Sequence, residues 1–138
     1  FSLGQPLHAF DARKVENSQI VVRKARAKEK LTLLDDSTLE LTPSNLLIAD
    51  SSKPLALAGI MGGKDSAIAP DVTDLFLESA NFDAVPIRRT SSSFKLRTES
   101  SMRFEKAIDT ERVSMAMGML LQMILDFYPA AKITGVLD

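Results

Sequence analysis

The chain has 138 residues, 45% of them hydrophobic, with 17 basic and 18 acidic side chains and a net charge of −1. That length and apolar content suit one buried core and one domain over residues 1–138, and the near-neutral charge argues against a free-standing electrostatic nucleic-acid binder. Cysteine is absent, which excludes disulfides, thiolate metal sites and cysteine nucleophiles; no apolar run reaches the roughly 18 residues that span a bilayer. The expectation is a soluble, non-membrane excerpt of a longer polypeptide, because a distinctive motif begins almost at Phe1.

The first distinctive segment is the turn-prone, apolar-flanked octapeptide Gly4-Gln5-Pro6-Leu7-His8-Ala9-Phe10-Asp11, which holds the single histidine. Imidazole titrates near neutrality, so His8 is a candidate acid, base or water-positioning group, although a lone histidine is more often a satisfied structural residue. Ile20 to Val22 reads as a strand. Leu31, Leu33, Leu39 and Leu41 alternate around Asp35-Asp36-Ser37 and predict a hairpin.

Asn45 to Ala49 and Leu55 to Ile60 are short apolar runs between turn residues, the pattern of buried strands. Gly59-Ile60-Met61-Gly62-Gly63-Lys64 follows the second run. It is no phosphate-binding P-loop: the glycine spacing differs, no Ser or Thr follows Lys64, and Asp65 is negative. Two readings remain, a tight structural turn or a bare backbone that lets a ligand approach closely.

Asp74 to Ser79 predicts another strand carrying Glu78 after three large apolar residues. Alternation by itself favours Glu78 on the solvent face; facing inward, it needs a hydrogen-bonding or ligand partner. Thr90-Ser91-Ser92-Ser93 reads as a small polar loop. From Arg88 to Lys106, six basic residues (Arg88, Arg89, Lys95, Arg97, Arg103, Lys106) face only Glu99 and Glu105, consistent with a polyanion contact or a plain solvated surface.

From Asp109 to Tyr128, Val113, Ala116, Met117, Leu120, Met123, Ile124 and Phe127 recur at helical spacing until Pro129. Met115, Met117, Met119 and Met123 on this amphipathic helix suit adaptable core or interface packing. Lys132 to Val136 is expected to close as a last strand. No HExxH, nucleophile elbow or carboxylate cluster with metal spacing occurs, so no metal is assigned.

Four collinear segments, GQPLHAFD, LALAGIMGG, LFLESANF and RTESSMRFEKAID, together resemble the editing module formed by the third and fourth domains of the bacterial phenylalanyl-tRNA synthetase β subunit. The likeness covers nearly the whole chain. It implies an α+β fold, a three-layer β-sandwich with helices, and hydrolysis of tyrosine wrongly esterified to the tRNA for phenylalanine. By the same resemblance His8 and Thr98 carry catalysis, and Glu78, Gly62, Gly63 and Ser100 bind the tyrosine. Arg88, Arg89, Lys95 and Arg97 are weaker candidates for tRNA contact.

The family usually has alanine where Ser100 stands, and a stretch preceding GQPLHAFD also lines its pocket, so the excerpt is expected to hold an incomplete site. The parent enzyme implied is a cytoplasmic ligase using ATP and magnesium on an α2β2 assembly with an α subunit; no cofactor is expected in this domain. Editing has a physical rationale: an apolar pocket rejects an added hydroxyl only by about a hundredfold. The alternatives are a non-catalytic tRNA- or subunit-docking module and, more remotely, a stand-alone deacylase or amino-acid sensor.

Overall fold

The computed structural model describes residues 3–136. In chain order the elements are β1 (Leu7–Asp11), β2 (Val21–Lys24), β3 (Lys30–Thr32), β4 (Thr38–Glu40), β5 (Leu46–Ala49), β6 (Pro54–Leu57), β7 (Met61–Gly62), β8 (Leu75–Ser79), α1 (Ala84–Phe94), α2 (Glu99–Phe104) and α3 (Glu111–Phe127). This is an α+β fold with several antiparallel sheets. Strands β2-β5-β6-β7 form a four-stranded sheet, while β1-β8 and β3-β4 form two-stranded ribbons.

The uninterrupted apolar character of β5 and β6 follows from burial on both faces. Leu47 pairs with Leu57 and both enter one core with Leu31, Leu33, Leu41, Ile60, Ile87 and Phe104; Ile48 pairs with Ala56 and both enter a second core with Phe10, Val15, Leu55 and Ala58. The hairpin β3-β4 and residues of α1 and α2 thus cover one face of the central sheet, and β1 covers the other. Fully burying a leucine or phenylalanine contributes about 1.5–3 kcal/mol, so the second cluster, through Phe10 and the partly buried Phe76, fixes the β1–β8 ribbon against the sheet, while the first fixes the hairpin and helices.

The predicted hairpin forms with Leu31 opposite Leu39, and its turn is closed by Leu33 N–H donating to Ser37 O at 2.8 Å. The helix predicted from Asp109 to Tyr128 runs from Glu111 to Phe127. It buries little: Ala116 is enclosed, whereas Met115, Met119 and Met123 are between 46% and 57% exposed, so core packing does not account for those three methionines. Ser79 Oγ donates to Val113 O at 2.8 Å and ties the helix to β8.

Three expectations are corrected. Thr90 to Ser93 is not a loop but part of α1, because Asp83 caps that helix through Val85 N–H at 3.0 Å. The hydroxyls on its inner face find partners, with Thr90 Oγ1 accepting from Asn45 Nδ2 and Ser91 Oγ donating to Leu96 O. Lys132 to Val136 forms no strand; these residues are exposed, and no β-strand neighbour pairs with them. The octapeptide that looks turn-prone becomes strand β1 from Leu7 onward, since β8 supplies its ladder partners.

Candidate functional site

Strands β1 and β8 pair antiparallel with Leu7 opposite Ser79, His8 opposite Glu78, and Phe10 opposite Phe76. Because side chains alternate across a strand, His8, Phe10, Phe76 and Glu78 share one face. Phe10 is 1% exposed and belongs to the second core, which makes this the inward face of the ribbon. Register is pinned at the far end. Asp11, fully buried, accepts from the Arg13 backbone N–H at 3.0 Å and from its guanidinium at 2.8 and 3.0 Å, and Arg13 reaches on to Asp71. The guanidinium holds the Asp11 carboxyl below its ordinary range.

Directly cross-strand residues have Cβ atoms about 4.5–5.5 Å apart, so His8 and Glu78 flank one small volume. Glu78 Oε2 is buried with no hydrogen-bond partner, and burial pushes its carboxyl up to about 7. Burial also lowers the His8 pKa, leaving a neutral imidazole at neutral pH. The imidazole packs edge-on against Phe10, with ring centroids 4.6 Å apart. Its other side rests on Gly62, where a methyl group would come within 2.6 Å of Cε1 and 2.9 Å of Nε2. Only a glycine leaves room for the ring.

The inward Glu78 corrects the solvent-facing expectation. Strand alternation does place alternate residues on two faces, but Phe76 and Glu78 face the core side while Leu75 is exposed. Two desolvated titratable groups side by side, one an acceptor lacking a donor and one a neutral base, make a site able to bind a hydroxyl and hold a water.

The remaining candidates are tied into structure. Gly63 N–H donates to Leu55 O at 2.8 Å, and a methyl there would meet that oxygen at 2.4 Å, so this glycine serves close backbone packing. Gly62 O accepts from Leu34 N–H at 3.1 Å. Thr98 caps α2: its Oγ1 accepts from Ser101 N–H at 3.1 Å and donates to Ile60 O at 2.8 Å, while Ser101 Oγ accepts from Thr98 N–H. Ser100 Oγ donates to Gly59 O at 3.0 Å. Two hydroxyls therefore clip α2 onto the Gly59–Ile60 turn, which leads into the glycine beneath His8.

Arg89, Lys95 and Arg97 are exposed, and Arg88, also exposed, donates to Glu105 O at 3.0 Å. Among the described residues no group of three or more His, Cys, Asp or Glu side chains could hold a metal ion, and Lys64 is paired with Asp36. Sequence reasoning passes over Gln5. Its Nε2 donates to Ala80 O at 2.7 Å and Pro6 O at 3.1 Å, which leaves Oε1 buried without a partner; its place inside the octapeptide was the only signal.

The chain matches the family model of the B3/4 domain over residues 1–129. It is 46% identical over 133 residues to the phenylalanine–tRNA ligase beta subunit of Solibacter usitatus, covering 96% of this chain and 17% of that protein. The beta subunit of Acinetobacter baylyi is 49% identical over 125 residues, covering 91% of this chain and 16% of its own length. That of Carboxydothermus hydrogenoformans is 48% identical over 114 residues, covering 83% and 14%. The chain thus spans only a small part of the relatives it matches, and with nearly its whole length matched it belongs to the B3/4 domain family.

Proposed function

We propose that this chain is the editing module of a phenylalanine–tRNA ligase beta subunit and hydrolyses tyrosine misacylated onto the tRNA for phenylalanine. The observation that carries the reading is the register of His8 against Glu78, both desolvated, with the His8 ring set over Gly62. The buried Glu78 Oε2 lacks a donor, and a phenolic hydroxyl supplies one. Phenylalanine supplies none, so its entry leaves the carboxyl desolvated and unpaired, at a cost of about 1–3 kcal/mol. Correctly charged tRNA is spared by that difference.

Neutral His8 accepts a proton from a water whose oxygen attacks the aminoacyl carbonyl; the bond from that carbon to the ribose oxygen breaks, and the imidazolium returns the proton to the leaving ribose hydroxyl. With the phenol on Glu78, the ester lies beyond the length of the ring, so His8 acts through a held water rather than on the ester itself. Thr98 and Ser100 position the wall on which this occurs instead of touching the reacting atoms. In the parent enzyme, a cytoplasmic α2β2 ligase, ATP and magnesium serve synthesis elsewhere, and Arg88, Arg89, Lys95 and Arg97 offer positive charge to the tRNA.

The test uses the full-length ligase. His8→Ala and Glu78→Ala are expected to slow tyrosyl-tRNA hydrolysis by about tenfold or more and to raise net tyrosylation, with phenylalanylation nearly unchanged. Undiminished clearance of tyrosyl-tRNA in both variants sinks the reading.

A further inference from the structure

The ribbon that carries His8 and Glu78 is closed by different means at its two ends. In an antiparallel pair, residues directly opposite each other alternate between positions that exchange both backbone bonds and positions that exchange none. Ala12 N–H donates to Asp74 O at 3.0 Å, just past the Asp11–Leu75 pair. Counted two residues at a time from Ala12 and Asp74, Phe10–Phe76 and His8–Glu78 are exchanging pairs, and the next in the series is Pro6 opposite Ala80. Proline has no backbone N–H, so the rung that would close the ribbon beside the site lacks its donor.

Gln5 supplies that donor from its side chain. Its Nε2 donates to Ala80 O at 2.7 Å and to Pro6 O at 3.1 Å, so one amide spans both carbonyls of the missing rung. Turning the amide over would set Oε1 against two carbonyl oxygens, which fixes the donor end toward the ribbon. That orientation has a visible cost: among the described residues, Gln5 Oε1 and Glu78 Oε2 are the two buried side-chain polar atoms without a hydrogen-bond partner. A side chain present for packing alone needs no amide there. The opposite strand is braced independently, by Ser79 Oγ donating to Val113 O at 2.8 Å and Asn81 Nδ2 donating to Ile108 O at 3.2 Å. Further upstream, Leu3 O accepts from Arg112 Nη1 at 3.1 Å, a bond to α3 rather than to β8. Gln5 therefore ties the lead of β1 to a fixed point on β8.

We infer that Gln5 is a positioning residue of the site: its amide replaces the rung that Pro6 cannot make and holds His8 in register opposite Glu78. For its catalytic consequence the inference rests on the editing reading. Only the Leu7–Ser79 pair stands between this staple and His8–Glu78, and the ends of a ribbon are where fraying starts. With the staple removed, fraying reaches a pair whose imidazole and carboxyl are both desolvated. Water then enters and the imidazole loses its fixed place, and a misplacement of about 1 Å can cost a hundredfold in rate. The Asp11–Arg13 clamp holds the far end and leaves this one free to open.

The test is made in the full-length ligase with tyrosyl-tRNA as substrate, and phenylalanylation reports folding of each variant. Gln5→Met keeps the side-chain length and removes the donor; kcat for hydrolysis is expected to fall about tenfold with KM within about twofold of the parent. Amide hydrogen exchange is expected to rise in the peptides carrying β1 and β8. The acid limb of the kcat–pH profile moves up toward 6.5 as the imidazole regains solvent. Gln5→Met/Pro6→Ala returns a backbone N–H to the rung and is expected to recover most of kcat and of the exchange protection, a rescue that a packing role does not predict. Where Gln5→Met does not fold, Gln5→Asn, one methylene short of Ala80 O, carries the same expectations. Unchanged kcat and exchange in a folded variant, or a loss that Pro6→Ala does not recover, overturns the inference. Failure of the editing reading is a different result: His8→Ala and Glu78→Ala clear tyrosyl-tRNA normally, while exchange in β1 and β8 still rises in Gln5→Met and falls again with Pro6→Ala, and the register role stands.

Discussion

The β1–β8 ribbon and the α2 clip contain the same kinds of polar residue and treat them oppositely. At the clip, Thr98 and Ser101 cap each other, and Thr98 and Ser100 each donate to a carbonyl of the adjacent turn. On the ribbon, Glu78 Oε2 is buried without a partner, and burial shifts both Glu78 and His8 toward their neutral forms. Satisfied hydroxyls fix a wall; unsatisfied groups are held at a cost that a ligand can relieve. The comparison separates positioning residues from binding residues that a motif alone presents as equals.

The sharpest way to break this contrast is pH-dependent stability at Glu78. Its folded pKa is raised to about 7 above its unfolded value, so its favourable contribution is complete below pH 4.5 and is lost as pH rises through 7. Glu78→Gln removes the buried charge. It is expected to be more stable than the parent at pH 8, by up to about 3 kcal/mol at 1.36 kcal/mol per pKa unit, and nearly equal at pH 4 in denaturant titrations. His8 acts in the opposite direction: its lowered pKa costs stability as pH falls below 6.5. A Glu78→Gln gain independent of pH would mean that the carboxyl is not desolvated.

At the clip the effect is smaller and of opposite sign. Thr98→Val keeps the shape but removes the cap and the bond to Ile60 O; a loss of about 1–2 kcal/mol, read as a fall in melting temperature with no pH dependence, is expected. Ser100→Ala leaves Gly59 O without that donor, and a loss of about 0.5–1.5 kcal/mol is expected. If Ser100→Ala slows tyrosyl-tRNA hydrolysis more than it lowers stability, the hydroxyl belongs with the ribbon and the contrast fails.

Much of this was legible in the chain. Leu31, Leu33, Leu39 and Leu41 announced the hairpin, and the three- and four-residue spacing from Val113 to Phe127 announced α3, because both periods are local. Thr90 to Ser93 misled, since hydroxyl-rich segments favour loops until Asn45 and the Leu96 carbonyl satisfy them within a helix. Glu78 misled for a related reason: alternation tells that two faces exist, not which one meets the core. The bond from Gln5 to Ala80, 75 positions away, left no mark in any single segment.

By itself the sequence determined the strand and helix periods, the absence of thiol chemistry, and four collinear segments that carry the family likeness. Only the tertiary structure set His8 opposite Glu78, 70 positions away, and placed Gly62 beneath the imidazole. The physical reason is the range of the interactions. Periodicity is fixed by neighbours along the chain, whereas desolvation and unsatisfied hydrogen bonding depend on everything the fold packs around a group.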